Sequence, residues 1–229
     1  MGALRLGRKP KVHGSTLGFF FAISLTHVVA AIAITPPPTV DESISESEKS
    51  WQAPAKPSQG LTMGTLKIEF EETTLPQVKN VTKLGIIQHQ GDAADSVNWL
   101  CYSAATAAKS VRIWIEASGE MGGPEMRITE INVHRVANGS PPSDCPLLPK
   151  QFRPLSFENR VWLGDSEAAV EKAFPSGLLH SGGQSFIGYQ GKVADDGNCK
   201  GGYDLLNSLY LTFKSGIVVE INAGQVTSC

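Results

Sequence analysis

Apolar and polar residues alternate with two different periods along this chain, and the stretches where neither period holds mark its divisions. Leu66, Ile68 and Phe70 alternate with Lys67, Glu69 and Glu71, the two-residue period of a half-buried strand. A helical spacing follows. Leu75, Val78 and Val81 recur on one face, Thr73 or Thr74 can cap the start, Pro76 fits the first turn, and Gly85 can stop the helix after Lys83. Strands are predicted over 86–89, 97–102, 111–117 and 126–136, the last with Ile128, Ile131 and Val133 among polar neighbours. Residues 118–125 form a turn by composition.

The second half repeats this order. Val161-Trp162-Leu163 leads into Gly164-Asp165-Ser166, a good helix N-terminus, and a helix over 167–174 is ended by Pro175 and Gly177. Strands are predicted over 185–190, 205–213 and 217–222, the last two joined through Lys214-Ser215-Gly216. The halves also match in residues. The run from Gly85 to Gly91 sits beside that from Gly177 to Gly183, Arg112–Glu116 beside Leu209–Phe213, and Ile131-Asn132 beside Ile221-Asn222. Self-similarity at a fixed offset points to a repeated unit. The expected fold is therefore α+β: tandem helix plus antiparallel β-meander units over 61–137 and 155–229, able to share one sheet, with a proline-rich crossover at 138–154.

The N-terminal 60 residues carry neither period. A basic stretch with Arg5, Arg8, Lys9 and Lys11 precedes an apolar one from Leu17 to Ile34, and Ala31-Ile32-Ala33 offers the small residues that signal peptidase requires. Residues 1–33 read as a signal peptide or, if uncleaved, a signal anchor; membrane contact is expected only through that segment. Residues 34–60 are rich in proline, serine and acid and read as a disordered linker, with Trp51 the one side chain able to dock.

Charge then narrows the function classes. The formal net charge is −2, and the four cations of the first 33 residues leave the rest at −6. Such a chain lacks the basic footprint that phosphate backbones demand, so nucleic-acid binding is not expected. All four cysteines, Cys101, Cys145, Cys199 and Cys229, follow the export segment, and an even count in an exported chain points to two disulfides. Four cysteines allow three pairings. Cys101–Cys145 with Cys199–Cys229 is favoured because each bridge then staples one half. A periplasmic or secreted location follows.

The run Trp162-Leu-Gly-Asp-Ser-Glu-Ala-Ala-Val-Glu-Lys-Ala-Phe-Pro175, followed by Leu209-Tyr-Leu-Thr-Phe-Lys-Ser-Gly-Ile-Val-Val-Glu-Ile221, resembles the BamE/SmpA outer-membrane assembly family. The tandem arrangement resembles the beta-lactamase inhibitory protein family, two such units whose concave sheet binds a partner protein. The resemblance covers about 60 residues of the second half and is weaker in the first. No lipobox cysteine and no inhibitory loop is present, so lipid anchoring and beta-lactamase inhibition do not carry over. What it implies is a fold and a bias towards binding over catalysis.

Candidate chemistry is sparse. His89, Asp92 and Asp95 form the best cluster, since an imidazole and two carboxylates can hold a cation or act as base and orienter. Asp195-Asp196-Gly197-Asn198 lacks the rest of a calcium loop. Ser181 and Ser185 lie near His180, but no nucleophile elbow and no phosphate-binding loop occurs. No cofactor and no metal is expected. Among the aromatics, Trp114 is expected in the core, and Tyr102 and Tyr210 on an exposed sheet face as binding residues. The expected function is a non-enzymatic module that binds another envelope or extracellular protein. The alternative is a small hydrolase or metal-dependent enzyme using His89, Asp92 and Asp95.

Overall fold

The computed structural model describes residues 34–46, 48–105, 110–119, 122–136, 144–194 and 197–229. Residues 1–33, on which the signal-peptide reading falls, the first part of the crossover and the Asp195-Asp196 pair lie outside the described residues. Among the described residues no helix is long and apolar enough to cross a membrane.

Helix α1, Leu75–Thr82, starts where the side chains dictate. Thr74 accepts from the Gln77 amide while the Gln77 side chain accepts from the Thr74 amide, and Pro76 occupies the first turn. The helix stops when Lys83 turns left-handed at φ 57°, before Gly85 is reached. Leu75 and Val78 are buried, each contributing about 1.5–3 kcal/mol. Val81 instead faces solvent, and Thr82 takes the inward position. Helix α2, Glu167–Ala173, is capped by Ser166 and buries Val170.

The rest is β. Three strands, β1 (Gly60–Met63), β2 (Leu66–Glu69) and β7 (Leu155–Phe157), form a small antiparallel sheet in the order β2-β1-β7. An eight-stranded antiparallel sheet contains β3 (Gln88–Gln90), β4 (Val97–Ala105), β5 (Ser110–Ser118), β6 (Glu130–Val136), β8 (Leu179–Ser181), β9 (Gln184–Val193), β10 (Tyr203–Lys214) and β11 (Ile217–Ser228). Its order is β3-β4-β5-β6-β11-β10-β9-β8. The two meanders meet where β6 pairs with β11, and there Asn132 stands directly opposite Asn222.

This corrects the α+β expectation: the architecture is mostly β. The helical spacing persists for eight residues in one half and seven in the other before chain reversal ends it. Strands β10 and β11 instead run for twelve residues each. The short strands β1, β7 and β8 lack a readable pattern because each spans only three or four residues.

One face of the large sheet carries the main core. Leu100, Tyr102, Ile113, Ile115, Ile131, Val133, Leu209 and Ile221 belong to one buried cluster with Leu75 and Val78 of α1, Val170 of α2, and Met63, Ile68 and Phe157 of the small sheet. Polar ties align these layers. The Asn207 side chain accepts from the Ser58 amide and donates to the Ser58 carbonyl oxygen. The Glu71 carboxylate accepts from Gln225 Nε2 and from the Thr227 amide and hydroxyl, fixing the end of β11.

Residues 34–60 differ from the linker reading. Residues up to Gln52 cross the opposite face of the large sheet as a strap containing two short 3-10 turns, Glu42–Ser45 and Glu48–Trp51, and the chain then passes β9 at Ala53 to reach the main core and Ser58. Few of these residues are apolar, so the strap is held chiefly by hydrogen bonds and by Trp51.

Candidate functional site

The second face of the large sheet is where polar and aromatic side chains gather. Trp99 and Cys101 from β4, Trp114 from β5 and Cys145 form a small buried cluster there, joined by Ile34 and Val97. The bridges are Cys101–Cys145 and Cys199–Cys229, with Cα separations of 5.2 and 5.5 Å. The first ties the crossover to this face, and the second pins the end of β11. Trp114 is buried as expected, although it lies in this second cluster and not in the main core.

The strap is anchored at both ends. Near its start, the Thr35 amide and hydroxyl donate to Asp144 Oδ2 at 3.0 and 2.6 Å, and the Thr35 carbonyl oxygen accepts from Trp114 Nε1 at 3.0 Å. Near its end, Trp51 packs edge-on against Phe186 at 5.2 Å, its Nε1 donates to the Ser45 carbonyl oxygen, and the Tyr210 hydroxyl donates to Ser45 Oγ. The Ala53 amide then bonds the Gly188 carbonyl oxygen on β9.

Between the anchors, Pro36–Val40 stand off the sheet and leave a cleft of about 930 Å³. Its depth has a sequence cause. Across β10 and β11 the register places Ser208 opposite Gly224, so the floor there is almost bare backbone, and the same row continues to Gly188 on β9. The rings of Phe186 and Trp51 close over Gly188, where a Cβ would come within 2.6 Å of one and 2.8 Å of the other. Val97, Trp99, Leu206, Tyr210 and Val226 form much of the wall.

The middle of the floor is acidic. Asn132 Nδ2 donates to Glu116 Oε1 at 2.7 Å and to Glu130 Oε1 at 2.9 Å, and Asn222 Nδ2 donates to Glu130 and to Asn132 Oδ1. Glu116 is only 4% exposed. Burial pushes its carboxyl well above the ordinary value, and the Glu130 charge adds to this; the bond from Asn132 opposes both. Glu116 is therefore a candidate for protonation where Glu130 is charged. Directly across from Glu116, Trp99 is also 4% exposed, and its Nε1 has no acceptor among the described residues. Two arginine Nε atoms, of Arg112 and Arg153, share that condition, but Arg112 Nη2 and both terminal nitrogens of Arg153 are bonded.

Further along the same face, Arg112 lies 5.3 Å over the Trp114 ring and bonds Asp144 Oδ1 at 2.5 Å. His134 meets the edge of Trp114 and approaches Glu220 at 3.5 Å. Desolvation is the largest influence on His134 and lowers its affinity for a proton; the Arg112 charge adds to that and the Glu220 charge opposes it.

The residues singled out in the sequence fall in different places. His89 is on β3 and pairs through Nδ1 with Asn98 Oδ1 at 3.1 Å, while Asp92 and Asp95 follow in an exposed turn. Asp95 contributes to the rim of the cleft. Among the described residues no group of three or more histidine, cysteine, aspartate or glutamate side chains is placed to hold a metal. Ser185 Oγ lies 2.7 Å from His180 Nδ1, and His180 Nε2 lies 3.9 Å from Glu171, but Ser185 is fully buried and cannot meet a substrate carbonyl. Tyr210 is half-buried at the cleft wall, its ring 4.6 Å from that of Phe186 and tilted by 50°. Tyr102 is the clear reversal. It points into the main core, with its hydroxyl 3.0 Å from Thr82 Oγ1 and donating to the Leu84 carbonyl oxygen. Burial pushes its phenol up to about 12.

Glu116, Glu130, Asn222 and Ser208 are functional candidates that sequence reasoning missed. An acid in the middle of the apolar run 111–117, and two asparagines matched between the halves, were the signals that pointed to them. No family model, curated protein or solved structure matches this chain.

Proposed function

We propose that this chain is an exported, non-enzymatic protein-binding module of the cell envelope or extracellular space, and that the strapped face of the large sheet is its binding surface. The observation that carries this reading is the cleft of about 930 Å³, whose walls come from both halves of the sheet and from the strap. A cleft of that size with mostly apolar walls and a few fixed polar groups is the usual form of a ligand site. Half-buried Tyr210 in the wall supplies aromatic area of the kind that anchors interfaces. Two disulfides are compatible with an oxidising compartment.

The test is a comparative capture from the native envelope or medium with two baits, the native protein and its Ser208→Trp variant. Ser208 lines the cleft opposite Gly224, so an indole there occupies the space a ligand would take. A partner retained by the native protein and lost by the variant supports the reading. Equal retention by both would refute it.

A further inference from the structure

We propose that the strap is a hinged lid: it stays fixed at its Trp51 end, lifts at its Thr35 end, and so opens the cleft to the partner. This rests on the binding reading above and adds how the site is reached.

The first support is unequal anchoring. Thr35 is exposed, and its end is held by the bonds of its amide and hydroxyl to Asp144 Oδ2 and of its carbonyl oxygen to Trp114 Nε1, with half-buried Ile34 beside them. Hydrogen bonds at the surface exchange readily for bonds to water. The other end is built into the molecule. Ser50 and Ala53 are buried, Ala53 belongs to the main core, and its amide bonds the Gly188 carbonyl oxygen. Trp51 closes over Gly188 and packs edge-on against Phe186. Where local stabilities differ this much along one segment, the weaker end opens without global unfolding.

The second support is the middle of the strap. Pro36–Val40 line the cleft without filling it. Pro36, Pro37 and Pro38 carry no amide proton, so this stretch cannot be tied to a strand by backbone donation. Three prolines in a row also favour a stiff, extended segment, which swings as one piece.

The third support is what opening leaves behind. Asp144 also bonds Arg112 at 2.5 Å, and its neighbour Cys145 is bridged to Cys101 on β4. Release of Thr35 therefore leaves that carboxylate in place and paired, with no buried charge stranded. The sheet keeps its structure while the floor at Ser208 and Gly224 becomes reachable.

The test uses a thiol as probe. All the native cysteines are bridged, so Ser208→Cys introduces a single reactive one on the cleft floor. Its labelling by bulky fluorescein maleimide is compared with that by iodoacetamide, which is small enough to enter the closed cleft. The second change, Thr35→Pro, removes the amide and hydroxyl donors and keeps the Asp144–Arg112 pair. It is expected to speed maleimide labelling about tenfold and to leave iodoacetamide labelling nearly unchanged. Exchange of the Trp114 indole N–H, followed by NMR, should outpace that of the Ala53 amide in the native protein and accelerate by a similar factor in Thr35→Pro, with Ala53 unaffected. Thermal melts confirm that both proteins are folded. An unchanged maleimide rate, equal acceleration of both reagents, or exchange of Trp114 and Ala53 at one common rate would each overturn the proposal. If any of these accompanies loss of a captured partner by Ser208→Trp, the cleft remains the binding surface and the lid alone fails.

Discussion

Trp114 and Thr35 are 79 positions apart, yet the indole N–H of the first donates to the carbonyl oxygen of the second at 3.0 Å. That bond, with the two from Thr35 to Asp144, turns a proline-rich stretch into a strap across the sheet.

Loosening the anchor should therefore free the strap before it disturbs the sheet. Trp114→Phe removes one donor and is expected to cost about 1 kcal/mol. Asp144→Ala removes both Thr35 contacts and leaves Arg112 without its carboxylate, costing about 2–3 kcal/mol. Hydrogen exchange should show lost protection at the Thr35 amide in both variants, with β10 and β11 unchanged. Acid should act similarly. Desolvation, the largest influence, would raise the proton affinity of Asp144, but the Thr35 bonds and the Arg112 charge together hold its carboxyl below 3.8. Its contribution is complete above that value and is lost as pH falls through the lower, folded-state value.

Tyr102 tests the assignment of the two sheet faces. Tyr102→Phe removes a buried hydroxyl bonded to Thr82 and Leu84 and is expected to cost about 1 kcal/mol. Tyr102→Ala should cost about 3–5 kcal/mol through the cavity left in the core. Partner capture should survive the first change, because the ring lies on the face away from the cleft. In a spectrophotometric titration, one of the four tyrosines should ionise late, near pH 12. Stability gained by keeping that phenol neutral is complete below its ordinary value of 10.0 and is lost as pH rises towards 12.

Each disulfide can be removed separately. The bridges close segments with separations of 44 and 30, for which chain entropy gives about 3–4 kcal/mol apiece. Cys199→Ser/Cys229→Ser should expose the Thr227 and Ser228 amides to exchange, since β11 ends at Ser228. Cys101→Ser/Cys145→Ser should instead weaken the face carrying Trp99 and Trp114. Alkylation of the native protein before reduction should find no free thiol.

Glu116→Gln is expected to stabilise the protein at pH 7–8, because it keeps the acceptor for Asn132 and removes a buried acid that resists ionisation. The sign follows from the raised folded value. The native protein loses stability as pH rises above 4.5 towards that value, and the variant should lack this component. Melting temperatures at pH 4 and pH 8 would check it; a variant with the native pH dependence would contradict the assignment.

Much of the β framework was legible because long strands repeat a simple rule. The strands expected over 205–213 and 217–222, around Ser215-Gly216, lie within β10 and β11, and the cysteine pairing followed from one bridge per half. Tyr102 was not legible, because β4 is buried on both faces from Trp99 to Ala104 and alternation cannot assign a side there. The strap escaped notice because its composition suits a tether equally well, and its partner Asp144 is 109 positions away. The cleft floor depends on Ser208 falling opposite Gly224, a matter of register between two strands. Register lies in the pairing, and no single segment carries it.

The pairing of β6 with β11 also has a consequence for biogenesis. Strand β6 ends at Val136 and its neighbour begins at Ile217, so one edge of the first meander stays open while about eighty further residues leave the ribosome. An unpaired edge is a template for unwanted association, and such long-range closure is slow. A chain built this way gains from remaining unfolded until synthesis has finished. Passage through a narrow secretion channel before folding would meet that need.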